Sequence, residues 1–156
     1  MRKLIRLTTK FRNALDTACE NDELRIHPFS IFPRECCDLT CDLLGQYLLE
    51  NDIITHQING ICRTDPLRHH VWLVTDCGIV VDITGDQFIG KLLSANEVKA
   101  IHVGEEGPVH KLFSVNRRRE ENTIFTDPNW FTDFGGRPNK RQRDLISINE
   151  IVRQYL

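Results

Sequence analysis

Apolar residues between Leu4 and Cys19 fall at Leu4, Ile5, Leu7, Phe11, Ala14, Leu15 and Ala18, while Arg6, Lys10, Arg12, Asp16 and Glu20 lie mostly elsewhere. Steps of three and four predict an amphipathic helix that packs by one face. Residues 21–33 interrupt the pattern with charges, Ser30 and two prolines, and read as a loop. From Thr40 the helical spacing returns at Leu43, Leu44, Tyr47 and Leu48, so a second helix starts near Cys36 and Cys37.

The period then changes. Ile53 to Cys62 is rich in β-branched residues with partial alternation, which predicts a strand that Arg63-Thr64-Asp65-Pro66 ends. His70 to Thr75 and Ile79 to Thr84 are two further β-rich runs, and Asp76-Cys77-Gly78 between them marks a hairpin of neighbouring antiparallel strands. Ser94-Ala95-Asn96-Glu97 has the capping-box form and predicts a brief helix over 94–100, and Val109 to Val115 suits another strand. Residues 116–143 are irregular and carry Arg117-Arg118-Arg119, Asp127-Pro128-Asn129, Gly135-Gly136 and the aromatics Phe125, Trp130, Phe131 and Phe134. Ser147-Ile148-Asn149-Glu150 repeats the capping-box form and opens a terminal helix. The pattern as a whole is that of an α+β protein.

Composition narrows this little. A chain of 156 residues suggests a single domain, 1–156, and 40% hydrophobic with 27% charged residues is ordinary for a globular core. A net charge of −2 supplies no general field for nucleic acid. The short basic runs, 117–119 and Lys140-Arg141-Gln142-Arg143, read as solvated loop, and no nucleic-acid partner is expected. The basic start is broken by Thr8-Thr9-Lys10 rather than followed by an export-type apolar run, and no window approaches a membrane span. The expectation is a cytoplasmic chain, or one delivered as an effector, with no membrane partner. Its six cysteines are expected to be reduced, most of them in packing.

One cysteine sits where chemistry is easiest. Backbone N–H groups at a helix start are unpaired and carry the positive end of the helix dipole, which favours a thiolate there. A nucleophilic thiol also needs a base to take and return a proton, and a third group to orient that base. Cys37, His70 and Asp82 supply these in order along the chain. In an antiparallel hairpin a two-residue turn at Asp76-Cys77 places His70 and Asp82 on opposite faces, whereas a three- or five-residue turn, or a bulge, places them on one. The triad therefore requires a non-minimal turn. Cys36 is the rival nucleophile and His69 the rival histidine. A zinc site built on Cys36, Cys37 and Cys41 with His56 or His70 lacks the paired spacing of structural sites, and no metal is expected.

Cys37 with the small Cys41 four residues on, then His70-Val71-Trp72, then Val81-Asp82-Ile83-Thr84, resembles the Cys–His–Asp core of the transglutaminase-like branch of papain-like thiol enzymes. It is also similar to small bacterial members of that branch, among them peptide-maturation proteases and toxin-type deamidases, over about residues 32–90. The resemblance implies a papain-like or transglutaminase-like core with the nucleophile-bearing helix packed on an antiparallel sheet. It implies that Cys37 attacks a carbonyl or carboxamide carbon, that His70 shuttles the proton, and that Asp82 orients His70. The product of the first step is a thioester, resolved by water or an amine. Cys36, Trp72 and Trp130 are then candidates for substrate contact, the substrate is a protein or peptide, and no cofactor is needed. Peptidase, glutamine deamidase and amine-transferring chemistries remain open, with an inactive protein-binding module as the alternative. Such sites place Gly two positions before the nucleophile, where this chain has Glu35; Asp38 follows the nucleophile, and the second oxyanion donor is unassigned.

Overall fold

The structure is a computed structural model that describes residues 1–25, 28–118, 125 and 137–156. Helix α1 (Arg2–Glu20) leads through a short 3-10 turn (Phe29–Ile31) to helix α2 (Cys37–Leu49). Strands β1 (Thr55–Cys62), β2 (Asp65–Thr75) and β3 (Val80–Asp82) follow, then a 3-10 turn (Gly85–Phe88) and strand β4 (His102–Gly104). The short helix α3 (Pro108–Lys111), strand β5 (Phe113–Arg118) and helix α4 (Lys140–Arg153) complete the order. The strands form one antiparallel sheet in the order β4-β3-β2-β1-β5. The fold class is α+β.

Alternation along β2 divides the interior in two. Val71 and Leu73 face the helices, where they pack with Leu7, Phe11 and Leu15 of α1, Leu43, Leu44 and Leu48 of α2, and Leu145, Ile148 and Val152 of α4. Trp72 faces the other side, with Ile58, Val80 and Phe113 from the sheet and Phe88, Val98 and Val109 from the connections that cover it. Trp72 fits because residue 60 is glycine: a Cβ there would come within 2.8 Å of both the indole and Phe113. The second layer contains His70, whose ring packs at 5.6 Å from Trp72 and edge-on to Phe88 at 4.9 Å.

Several expected elements differ. The Ser94–Glu97 side-chain link forms, with Glu97 Oε2 accepting from Ser94 N at 2.9 Å and Oγ at 2.7 Å, but no helix follows. The chain has only one turn before it enters β4. Pro108, whose fixed φ suits a first helical turn, opens α3 within the run read as a strand, and β5 begins after it. The terminal helix starts at Lys140, seven residues before Ser147, because Asn139 caps it by accepting from the Gln142 N–H at 2.9 Å. The Lys140–Arg143 run is therefore helical rather than a solvated loop. Of the irregular segment's aromatics, Phe125 is fully buried in the helix-side core; Trp130, Phe131 and Phe134 lie outside the described residues, as do Arg119, the 127–129 turn and Gly135-Gly136. No helix among the described residues is long and apolar enough to cross a membrane. All six cysteines are free thiols.

Candidate active site

The β2–β3 turn holds three residues. Thr75 donates from its N–H to the Ile79 carbonyl at 2.9 Å, and Gly78 takes a left-handed φ of 81° at the position where a side chain would be strained. Beyond the turn Val74 pairs with Val80 and Leu73 with Val81, so residues of even number share a face across the two strands. His70 and Asp82 therefore point into the same layer, and His70 Nε2 lies 2.7 Å from Asp82 Oδ2. Both are buried, at 0% and 3% exposure.

Asp82 is fully engaged. Its Oδ1 accepts from Thr84 N at 2.9 Å and Thr84 Oγ1 at 3.2 Å, and its Oδ2 accepts from His70 Nε2 and, at 3.2 Å, from His110 Nε2. Burial alone raises a carboxylic acid's pKa, but the charge of His70 and the hydrogen bonds from His110 and His70 outweigh it and hold Asp82 far below the usual carboxylate range. For His70 burial acts downward; the charge and hydrogen bond of Asp82, then a hydrogen bond and charge from Cys37, outweigh it and raise the imidazole above its ordinary value. Cys37 is thus a direct neighbour of the ring whose far nitrogen is held by Asp82.

Cys37 is the first residue of α2 and is partly exposed. The sheet and α4 both hold the helix in place. Cys41 Sγ donates to the Val71 carbonyl at 3.4 Å, which brings α2 close over β2 next to His70. Arg141 of α4 reaches Asp38 Oδ2 at 2.9 Å and Asp42 Oδ2 at 2.5 Å, so the negative charge beside Cys37 is paired. Glu35 adopts a left-handed φ of 58°, the backbone conformation that glycine takes most easily. On the other side Arg12 of α1 binds the Ile83 carbonyl at 2.5 Å and Asp86 at 2.8 Å, and its guanidinium lies 4.7 Å above the Phe32 ring. It ties the segment after Asp82 to the loop before Cys37.

Cys37 opens onto a cleft of about 360 Å³, bordered by Glu35, Leu67, Arg68, Gln87 and Lys91. The exposed His69 stands on its rim and does not replace His70 beside Asp82. Two candidates for substrate contact are placed elsewhere. Cys36 caps α2 from inside the core at 0% exposure, and burial pushes its thiol up to about 12, so it neither reaches the cleft nor competes as nucleophile. Trp72, at 2% exposure, is a wall behind His70 rather than a surface of the cleft. Trp130 lies outside the described residues.

Two site residues carried no sequence signal. Gln87 arrives from the 3-10 turn, donates to the Thr84 carbonyl at 2.9 Å and brings its amide nitrogen 3.5 Å from His70 Nδ1. His110 arrives from α3. Gln87 belongs to no periodic run, and His110 falls in the run read as a strand, where nothing marks it as a partner of Asp82.

Among the described residues, the metal-ligating atoms that come together are those of His70, Asp82 and His110, not the cysteine set. A metal-bound imidazole normally offers its second nitrogen as an N–H donor. His110 does the reverse: its Nδ1 accepts from the Gly107 N–H at 3.1 Å, so Nε2 carries the ring proton. The donor set holds protons on Asp82 and does not fit an ion.

Comparison with models of known families, with curated proteins and with solved structures finds no match to this chain.

Proposed function

We propose that this chain is a thiol-dependent acyl-transfer enzyme of the transglutaminase-like, papain-like kind, acting on a peptide or side-chain amide through a thioester. The observation that carries the reading is the continuous Cys37–His70–Asp82 contact beside an open cleft. Cys37 passes its thiol proton to His70, and Sγ attacks the amide carbon and forms the S–C bond; the carbonyl π pair moves to oxygen. As the tetrahedral species collapses, the C–N bond breaks and His70 gives the proton to the leaving amine. Water or an amine then attacks the thioester, His70 takes the incoming proton, and Cys37 departs. Asp82, held by its own donors, keeps His70 oriented and stabilises its charged form. The Cys37 backbone N–H, in the unpaired first turn of α2, is one donor for the oxyanion. The Gln87 amide, bordering the same cleft, supplies the second.

Alkylation with iodoacetamide from about pH 5 to about pH 9, with the modified residue mapped by mass spectrometry, tests the reading. Fast labelling of Cys37 alone, lost in His70→Ala, is the expected result. Uniformly slow labelling of all six thiols would instead indicate a binding module without turnover. Trapping of a partner on Cys37→Ala, followed by mass analysis of that partner after reaction with the unaltered protein, separates cleavage from deamidation and from cross-linking.

A further inference from the structure

We infer that His110 is a fourth member of the site, a positioning residue that donates from Nε2 to the same Asp82 oxygen that His70 uses and is itself set by the Gly107 backbone. This rests on the reading of Cys37, His70 and Asp82 as the reacting unit.

The tautomer follows from the donors. A backbone N–H can only donate, so the 3.1 Å contact from Gly107 to Nδ1 requires a lone pair on Nδ1 and leaves the proton on Nε2, 3.2 Å from Asp82 Oδ2. The ring cannot turn over without losing both bonds. Two rings pack against it, Trp72 in a T-shaped arrangement at 5.3 Å and His102 at 4.9 Å. Gly107 approaches because it has no side chain; a Cβ there would lie 2.8 Å from His102 Cε1.

With His110 in place, both oxygens of Asp82 accept two donors. The carboxylate cannot rotate without breaking these bonds, and four donors lower its basicity toward the His70 proton. Sharing Oδ2 also spreads the negative charge that faces His70. The titratable groups around His110 are Asp82 on β3, His70 on β2 and His102 on β4, with Glu97 and Lys99 bordering the narrow crevice it shares. Of these, Asp82 alone receives its proton.

Two substitutions separate the ring's two nitrogens. His110→Gln keeps a donor near the place of Nε2 and loses the acceptor for Gly107; His110→Asn keeps an acceptor near the place of Nδ1 and loses the donor to Asp82. Cys37 alkylation against pH and the thermal midpoint are measured for both. Expected is a loss on the order of tenfold in labelling rate for Asn, with a displaced pH profile, and recovery of rate and profile in Gln even where its midpoint is lower. An unchanged profile in Asn, or a profile that follows the midpoint in both variants, overturns the role. Nitrogen-resolved NMR of the histidine rings in the unaltered protein is the second readout. A neutral His110 protonated at Nε2 supports the assignment, and protonation at Nδ1 overturns it whatever the variants do. If Cys37 labelling is indifferent to His70→Ala, the enzyme reading fails instead, and the NMR result still decides how His110 is held.

Discussion

Asp82 collects donors from three segments: His70 on β2, Thr84 just past β3 and His110 on α3. Each removes one way for the carboxylate to move or to be protonated, which is what an orienting group for an acyl-transfer base requires. Cys37 and Asp82 differ in what their loss would do. In the proposed mechanism there is no covalent step without the sulfur, whereas without the carboxylate His70 remains but is misoriented. Cys37→Ala is expected to lower turnover by a factor on the order of 10⁶ and Asp82→Ala by one on the order of 10⁴, measured on whichever amide substrate the trapping experiment returns. Cys36→Ala, which touches only the core, is expected to leave the labelling profile of Cys37 in place.

Among the elements, α2 matters most, because its first residue is Cys37, the nucleophile of the proposed mechanism. Its N-terminal end is held from three sides: by the sheet through Cys41 and Val71, by Gln57 of β1 donating to Asp42 at 2.6 Å, and by α4 through Arg141. The Asp42 side chain is almost wholly buried, so withdrawing the guanidinium leaves a carboxylate in the interior without it. Arg141→Ala is expected to destabilise the fold by about 3 kcal/mol, read by chemical denaturation, and to slow Cys37 labelling through the released Asp38 charge. Arg141→Lys is expected to recover little, since one ammonium cannot span two carboxylates as a guanidinium fork does.

The elements also show what could be read in advance. The first two helices, the first three strands and the same-face requirement on His70 and Asp82 follow from periodicity and parity, which are local properties. Arg141, Gln87 and His110 do not. Each acts across a tertiary contact, Arg141 over about a hundred positions to α2, which no local pattern reports. Ser94–Glu97 shows the converse: a correct local bond can form where the surrounding chain has no room for the helix it normally starts.

For the molecule as a whole, the buried pair makes stability depend on pH in both directions. Asp82 lies below its ordinary 3.8, so its contribution is complete above that value and is lost as pH falls. His70 lies above its ordinary 6.5, so its contribution is complete below that value and is lost as pH rises toward the folded value. The pair therefore stabilises most between about pH 4 and about pH 6.5. Burial pushes the Cys19 thiol up to about 11 and Cys36 up to about 12, which adds a further loss above pH 9.0, where these thiols ionise only in the unfolded chain. Thermal midpoints across this range are expected to trace a dome, and Asp82→Asn is expected to flatten its acid side.

The three-residue turn at 76–78 couples folding to chemistry at the level of the gene. Loss of a single codon there reverses the parity of β3 relative to β2, sending Asp82 into the layer of Leu43 and Leu44 and turning Val81 toward His70. The chain must then bury a lone carboxylate among leucines or give up the β3 pairing. Gain of two codons preserves parity, so the pairing of His70 with Asp82 survives insertions in this exposed loop only in even steps, as a reading frame survives them only in steps of three.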